Sequence, residues 1–234
     1  MKLLTKIFAA AALLLFVNIA FADTQDRHLS NFNAIQLSAS YDVYITQSST
    51  ESVRVEAPGK LIGKIITEVQ GGVLKIYSKG QNGWGDWSFS GGKKTVIYIN
   101  ARDIVSIGIS GSGNVYFRNG LTTNNIKIRL SGSGDIFGKL NVKSLELGVS
   151  GSGDVKLNGK ADVVNATVSG SGDFSGRDLL TQSTTIRVSG SGDATVYASD
   201  KIDASVSGSG DIRYGGSPKH VSTATHGSGD IHRF

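Results

Sequence analysis

The chain has no cysteine and only two prolines in 234 residues. Without cysteine there is no disulfide staple, no thiolate metal site and no N-terminal cysteine to carry a lipid. Long hydrophobic runs are also missing, with one exception at the start. Lys2 and Lys6 flank or precede an apolar stretch from Ile7 to Ile19 broken only by Asn18, and Ala20-Phe21-Ala22 supplies a small-x-small exit before Asp23. That stretch is short for a bilayer span, so residues 1–22 read as a secretory signal peptide. Nothing after it is long and apolar enough to span a membrane as a helix. The processed chain, 23–234, is expected in the periplasm, on the outer surface or outside the cell.

Charge of one sign is nowhere concentrated. Lys and Arg number 24 against 19 Asp and Glu, a formal charge of +5, and two of those lysines leave with the leader. Nucleic-acid binding calls for a basic stripe, which this chain lacks. Tryptophan is scarce as well, and both residues, Trp84 and Trp87, fall in one glycine-flanked stretch.

Glycine is abundant instead, with 31 residues, roughly twice the usual share of about 7%. Much of the excess sits in one recurring pentapeptide, Ser-Gly-Ser-Gly-Asp/Asn. It begins at Ser110, Ser131, Ser150, Ser169, Ser189 and Ser207, and returns as His226-Gly-Ser-Gly-Asp230. Alternating apolar segments precede each copy, such as Ile126-Lys-Ile-Arg-Leu130 and Leu145-Glu-Leu-Gly-Val149. A single apolar residue follows each, from Val115 to Ile231. Period-two alternation marks strands with one buried face. Carried through Val168-Ser-Gly-Ser-Gly-Asp-Phe174, it predicts both glycines inward and Ser169, Ser171 and Asp173 outward.

A unit of about 19 residues cannot bury its own apolar face, so the units must stack. The expected fold is all-β, a right-handed parallel β-helix, with the hand taken from the usual chirality of parallel crossovers. An antiparallel sandwich would show turn signals every 8–12 residues without a fixed longer period. Residues 106–234 hold the seven repeats. Residues 30–105 read as irregular opening coils and a cap, with strands near 34–37, 42–46, 52–56, 65–69, 73–77 and 95–100, all within one domain.

Several stretches together resemble a known family. They are Phe32-Asn-Ala-Ile-Gln-Leu37, Tyr41-Asp-Val-Tyr-Ile-Thr-Gln47, Ser52-Val-Arg-Val-Glu-Ala57, Gly71-Gly-Val-Leu-Lys-Ile76 and the serial Gly-Ser-Gly-Asp/Asn turns. With these the chain resembles the putative auto-transporter adhesins with a head GIN domain. The resemblance implies a pectin-lyase-like β-helix, no known catalytic residues and a role in cell adhesion. The chain departs from the family's name in carrying no translocator barrel.

Three constellations are candidates for chemistry. The outward column Asp135, Asp154, Asp173, Asp193 and Asp211 would set like charges about 5 Å apart, which is unfavourable unless compensated. Hydrogen bonds from serine hydroxyls and turn amides would compensate, and so would calcium, which takes carboxylate oxygens. Calcium is thus the one cofactor considered. Trp84, Trp87 and Phe89 form an aromatic loop suited to stacking on a sugar or anchoring a protein, or else a lid over the solenoid end. His220, His226 and His232 keep strand parity but lack further ligands. No nucleophile elbow or phosphate loop is present. The expected function is a non-enzymatic adhesin that binds a cell-surface glycan or protein. The competing readings are a carbohydrate-active β-helix enzyme and a purely structural envelope protein.

Overall fold

The computed structural model describes residues 22–80 and 94–234. The chain forms a β-solenoid of about seven turns of ~19-residue coils, and among the described residues there is a single short helix, Gly59–Ile62. The predicted signal peptide, up to Phe21, and the Trp84–Phe89 loop lie outside the described residues. Among the described residues no helix is long and apolar enough to cross a membrane.

Two main walls run the length of the solenoid. The leading wall is built from the strands that enter each Ser-Gly-Ser-Gly-Asp turn. In the repeat region these are Ser106–Gly111, Leu121–Gly132, the later parts of Ile136–Gly151 and Val155–Gly170, then Leu179–Gly190, Lys201–Gly208 and His220–Gly227, all parallel. The trailing wall is built from the strands that leave the turn. It runs from Val115–Phe117 through the starts of the two long strands to Phe174–Ser175, Ala194–Tyr197, Ile212–Gly215 and Ile231–Arg233. A short third wall closes the coil, with Leu121, Leu140, Gly159 and Leu179 in register.

The inward positions form one apolar core. Leu145, Val155 and Ile186 are fully buried, as are Ile128 and Ile212. Bulk is compensated between coils at one position and within a coil at another. The Phe117 ring covers Gly138, and the Phe174 ring covers Gly176, so a methyl group at either glycine would strike the ring. Burial of a side chain the size of Phe174 contributes about 2–3 kcal/mol.

The two glycines of each motif have different jobs, which corrects the simple inward reading. Gly172 is buried, and a Cβ there would collide with the Gly153 backbone one coil away. Gly170 is exposed and has φ of +116°, a conformation that L side chains rarely adopt, because the chain turns its corner there. The corners stay hydrogen-bonded. The Gly151 carbonyl accepts both Ser171 N–H and Gly172 N–H, at 2.9 and 3.0 Å.

The N-terminal half contains strands at all six expected places, but their spatial order departs from the chain order. Ala34–Ser38 pairs in parallel with both Val73–Ser78 and Ser106–Gly111. Asp42–Gln47 likewise lies between Val96–Ala101 and Val115–Phe117. The first coil in sequence is therefore the second in space, inserted beneath a coil that the chain makes later. Three antiparallel strands finish this end. Ile65–Gln70 pairs with Val73–Ser78, Ser52–Pro58 pairs with Val96–Ala101, and Ala22–Asp26 pairs with Ser52–Pro58. Reversed strands stop the stacking of further coils, as a terminal unit of a solenoid must.

Candidate functional site

The aspartate column exists, and its structural role is visible. Asp135, Asp154, Asp173, Asp193 and Asp211 stand in successive corners of the trailing wall. The Oδ1 of each accepts the backbone N–H of the next aspartate, at 2.7–2.9 Å, and the last acceptor serves Asp230. The column starts earlier than the repeat, because Asn114 Oδ1 accepts from Asp135 N–H while its Nδ2 donates to Asp42. One carboxylate oxygen of each residue is thus committed to holding the register of the coils. Among the described residues no three His, Cys, Asp or Glu side chains converge on a position that could hold a metal ion. His220 and His226 lie at opposite ends of one strand of the leading wall. His232 lies on the trailing wall, in register with Arg213. The structure does not bring them together.

The N-terminal part of the trailing wall carries a feature that reading the sequence did not single out. Its outward positions place Tyr98, Tyr44, Tyr116 and Phe137 side by side on successive strands. The rings stack in that order, with centroids 5.6, 4.9 and 5.4 Å apart and planes within 20° of parallel. Such offset stacks are each worth about 0.5–1.5 kcal/mol beyond area burial. The Arg118 guanidinium lies 5.1 Å from the Tyr44 centroid and 5.4 Å from that of Tyr98. With those two centroids 5.6 Å apart, the cation sits beside the pair, off the stacking axis.

This aromatic strip opens into a groove of about 830 Å³. Tyr98, Arg118, Thr46, Asn100, Arg54 and the 28–30 loop line it, together with three acids, Asp26, Glu51 and Glu56. The rim is braced from beneath. Arg27 donates to the Ile62 and Ile65 carbonyls at 2.9 and 3.2 Å, and Asn31 N–H donates to Glu51 at 2.8 Å. Both His28 and Asn31 adopt positive φ, residue types that tolerate that region better than most. Arg54 bonds Asp26 at 2.9 Å, and this contact holds the Asp26 carboxyl below its ordinary pKa. Burial, and then the nearby Glu56 carboxylate, push the Tyr98 phenol up. Burial and Asp42 do the same for Tyr116. The groove therefore offers the Tyr98 phenol, amide and hydroxyl groups, the guanidinium groups of Arg54 and Arg118, and the carboxylates of Asp26, Glu51 and Glu56, an array that can hydrogen-bond a polyhydroxylated ligand and stack against it.

A signal for most of this strip was present in the repeat. Tyr116 and Phe137 both sit two residues after the Asn/Asp of the motif. Tyr44 likewise sits two residues after Asp42 in the degenerate copy Ser38-Ala-Ser-Tyr-Asp42, whereas Tyr98 carries no such signal.

Comparison with known structures places the architecture among bacterial adhesin-like proteins. A putative adhesin from Bacteroides fragilis NCTC 9343 superposes with a TM-score of 0.85 at 29% identity, covering 91% of this chain and 97% of that one. A putative lipid binding protein from Parabacteroides distasonis ATCC 8503 superposes with a TM-score of 0.74 at 25% identity, covering 92% and 98%. No curated protein matches the chain by sequence. The family model described as "Putative auto-transporter adhesin, head GIN domain" matches residues 31–218, and the chain belongs to that family.

Proposed function

We propose that this protein is an exported, non-enzymatic adhesin that binds a surface glycan through the aromatic strip and groove of its trailing wall. The observation that carries this reading is the row Tyr98–Tyr44–Tyr116–Phe137, crossed by Arg118 and opening into a polar groove. Aromatic rings beside hydrogen-bonding groups recognise ligands that are apolar on one face and hydroxylated at the edge. The rigid wall holds the groups in place before binding, which lowers the ordering cost. The family's adhesin name and the adhesin-like structural neighbours agree with this reading. The absence of a catalytic role is supported by the acids near the strip. Asp26 is paired with Arg54, Glu51 with Arg102, Glu56 stands at the Tyr98 phenol, and the column aspartates are bonded to backbone amides.

The test is binding of residues 23–234 to a panel of bacterial and host polysaccharides, beside a Tyr44→Ala/Tyr98→Ala variant. Saturable binding that drops at least tenfold in the variant is expected, with no shortened product released from any polymer. Binding that the variant retains would move the site elsewhere, and product release would make the protein an enzyme. Absence of binding to every polysaccharide would direct the search to a protein partner.

A further inference from the structure

We infer that the glycan bound here carries carboxylate groups and that Arg118 is the residue that reads them. This inference rests on the glycan reading above and narrows it. It begins with the partners of the charged groups in the groove. Asp26 is taken by Arg54 at 2.9 Å, and Glu51 by Arg102 at 3.8 Å and by the Asn31 amide. Glu56 stands beside the Tyr98 phenol. Arg118 is different. Among the described residues its guanidinium lies against the Tyr44 and Tyr98 rings and makes no ion pair and no side-chain hydrogen bond. Its N–H donors are therefore unused, while contact with two rings holds the group in place. A guanidinium pre-set in this way suits two parallel hydrogen bonds to one carboxylate, a geometry that an ammonium group cannot offer.

The charge continues past Arg118 in one direction. Beyond Asn119 lies a second recess of about 500 Å³, lined by Gly120, Lys139, Asn141 and Lys160 and by no acid. Lys139 and Asn141 belong to one coil, and Lys160 is the register partner of Asn141 in the next. Lys156 follows Phe137 in the line of outward residues on the trailing wall. Arg118, Lys139, Lys156 and Lys160 have no ion-pair partner among the described residues. Arg118 and Lys139 belong to successive coils, and Lys156 and Lys160 share the coil after them, four residues apart on one strand. The aspartate column lies on the other side of the aromatic strip, two residues earlier on each strand. A chain carrying carboxylates, laid along the lysine side of the strip, meets cations on three successive coils and keeps clear of the aspartates.

The experiment compares binding to polygalacturonate, to the same polymer after its carboxyl groups are reduced to alcohols, and to a sulfated glycan of similar length. The wild-type chain is measured beside Arg118→Gln, Arg118→Lys and Lys139→Gln/Lys160→Gln. The inference predicts at least tenfold tighter binding to the acid polymer than to its reduced form. It also predicts a tenfold or greater loss in Arg118→Gln, only partial rescue by Arg118→Lys, and a weaker salt dependence in the double lysine variant. Thermal melting of each variant is expected to match wild type, since these side chains are on the surface. Equal binding of the acid and reduced polymers, or an Arg118→Gln variant that binds like wild type, would overturn the inference and leave the glycan reading standing. Equal binding of the sulfated and carboxylated chains would overturn the assignment of carboxylate. Loss of all polysaccharide binding in the wild-type chain would remove the glycan reading itself.

Discussion

Replacing Asp173 separates the two explanations of the aspartate column. In Asp173→Ala, the Asp193 N–H loses the acceptor it now reaches at 2.7 Å, while the Asp173 N–H keeps its own bond to Asp154. A hydrogen bond to a charged acceptor contributes about 1.5–3 kcal/mol, and the exposure of this corner lets water recover part of that. Removing a carboxylate also relieves repulsion from the aspartates above and below, by a few tenths of a kcal/mol each. The net expectation for Asp173→Ala is a loss of about 1 kcal/mol. Asp173→Asn keeps the Oδ1 acceptor in place and drops the charge, as Asn114 already does at the head of the column. It should be neutral or more stable by up to about 0.5 kcal/mol. Urea unfolding at constant m reads both values, and calcium should leave the wild-type midpoint where it is. An Asn variant as unstable as the Ala variant, or a midpoint raised by calcium, would refute the hydrogen-bond account and make the charge itself the required feature.

Two other expectations follow from the geometry. Gly172→Ala places a methyl group against the Gly153 carbonyl oxygen, backbone against backbone. It should cost about 3 kcal/mol or prevent folding, whereas Gly148→Ala meets only the movable end of Arg129 and should cost well under 1 kcal/mol. Thermal melts of the two variants compare them directly, and similar losses would contradict the stacking argument. Arg129, then Lys127, hold the Glu146 carboxyl below its ordinary pKa. A depressed folded-state pKa adds stability above the unfolded value and loses it as pH falls through the folded one. The stability gap between wild type and Glu146→Gln, small for so exposed a pair, should therefore be constant near neutrality. It should close below about pH 4, and a gap that widens in acid would contradict the assignment.

The repeat half of the fold was legible because each coil restates it. Val149, Val168 and Val188 occupy the same register position, and the Ser-Gly-Ser-Gly-Asp turn recurs wherever the wall changes direction. The N-terminal half was legible only strand by strand. Alternation in Asp42–Gln47 shows that one face is buried, but nothing in it says that Val96–Ala101 will lie on one side and Val115–Phe117 on the other. The site was hidden for the same reason. Tyr44, Tyr98 and Tyr116 are far apart in sequence and become a strip only through that non-sequential stacking. Arg118 reads as an ordinary polar residue at a strand end until the rings beneath it are in place. The first glycine of each motif was misread because parity was carried through a corner, where φ of +116° at Gly170 breaks the alternation.

The central claim is that ligands bind at the aromatic strip and groove of the trailing wall. Hydrogen–deuterium exchange of residues 23–234, with and without a saturating polysaccharide from the binding panel, tests it most directly. The account predicts new protection confined to segments 26–30, 44–46, 52–56, 98–100, 116–120, 137–141 and 156–160. Protection centred on the serine-lined leading wall, for instance at 129–131 and 148–150, with none at these segments, would contradict it.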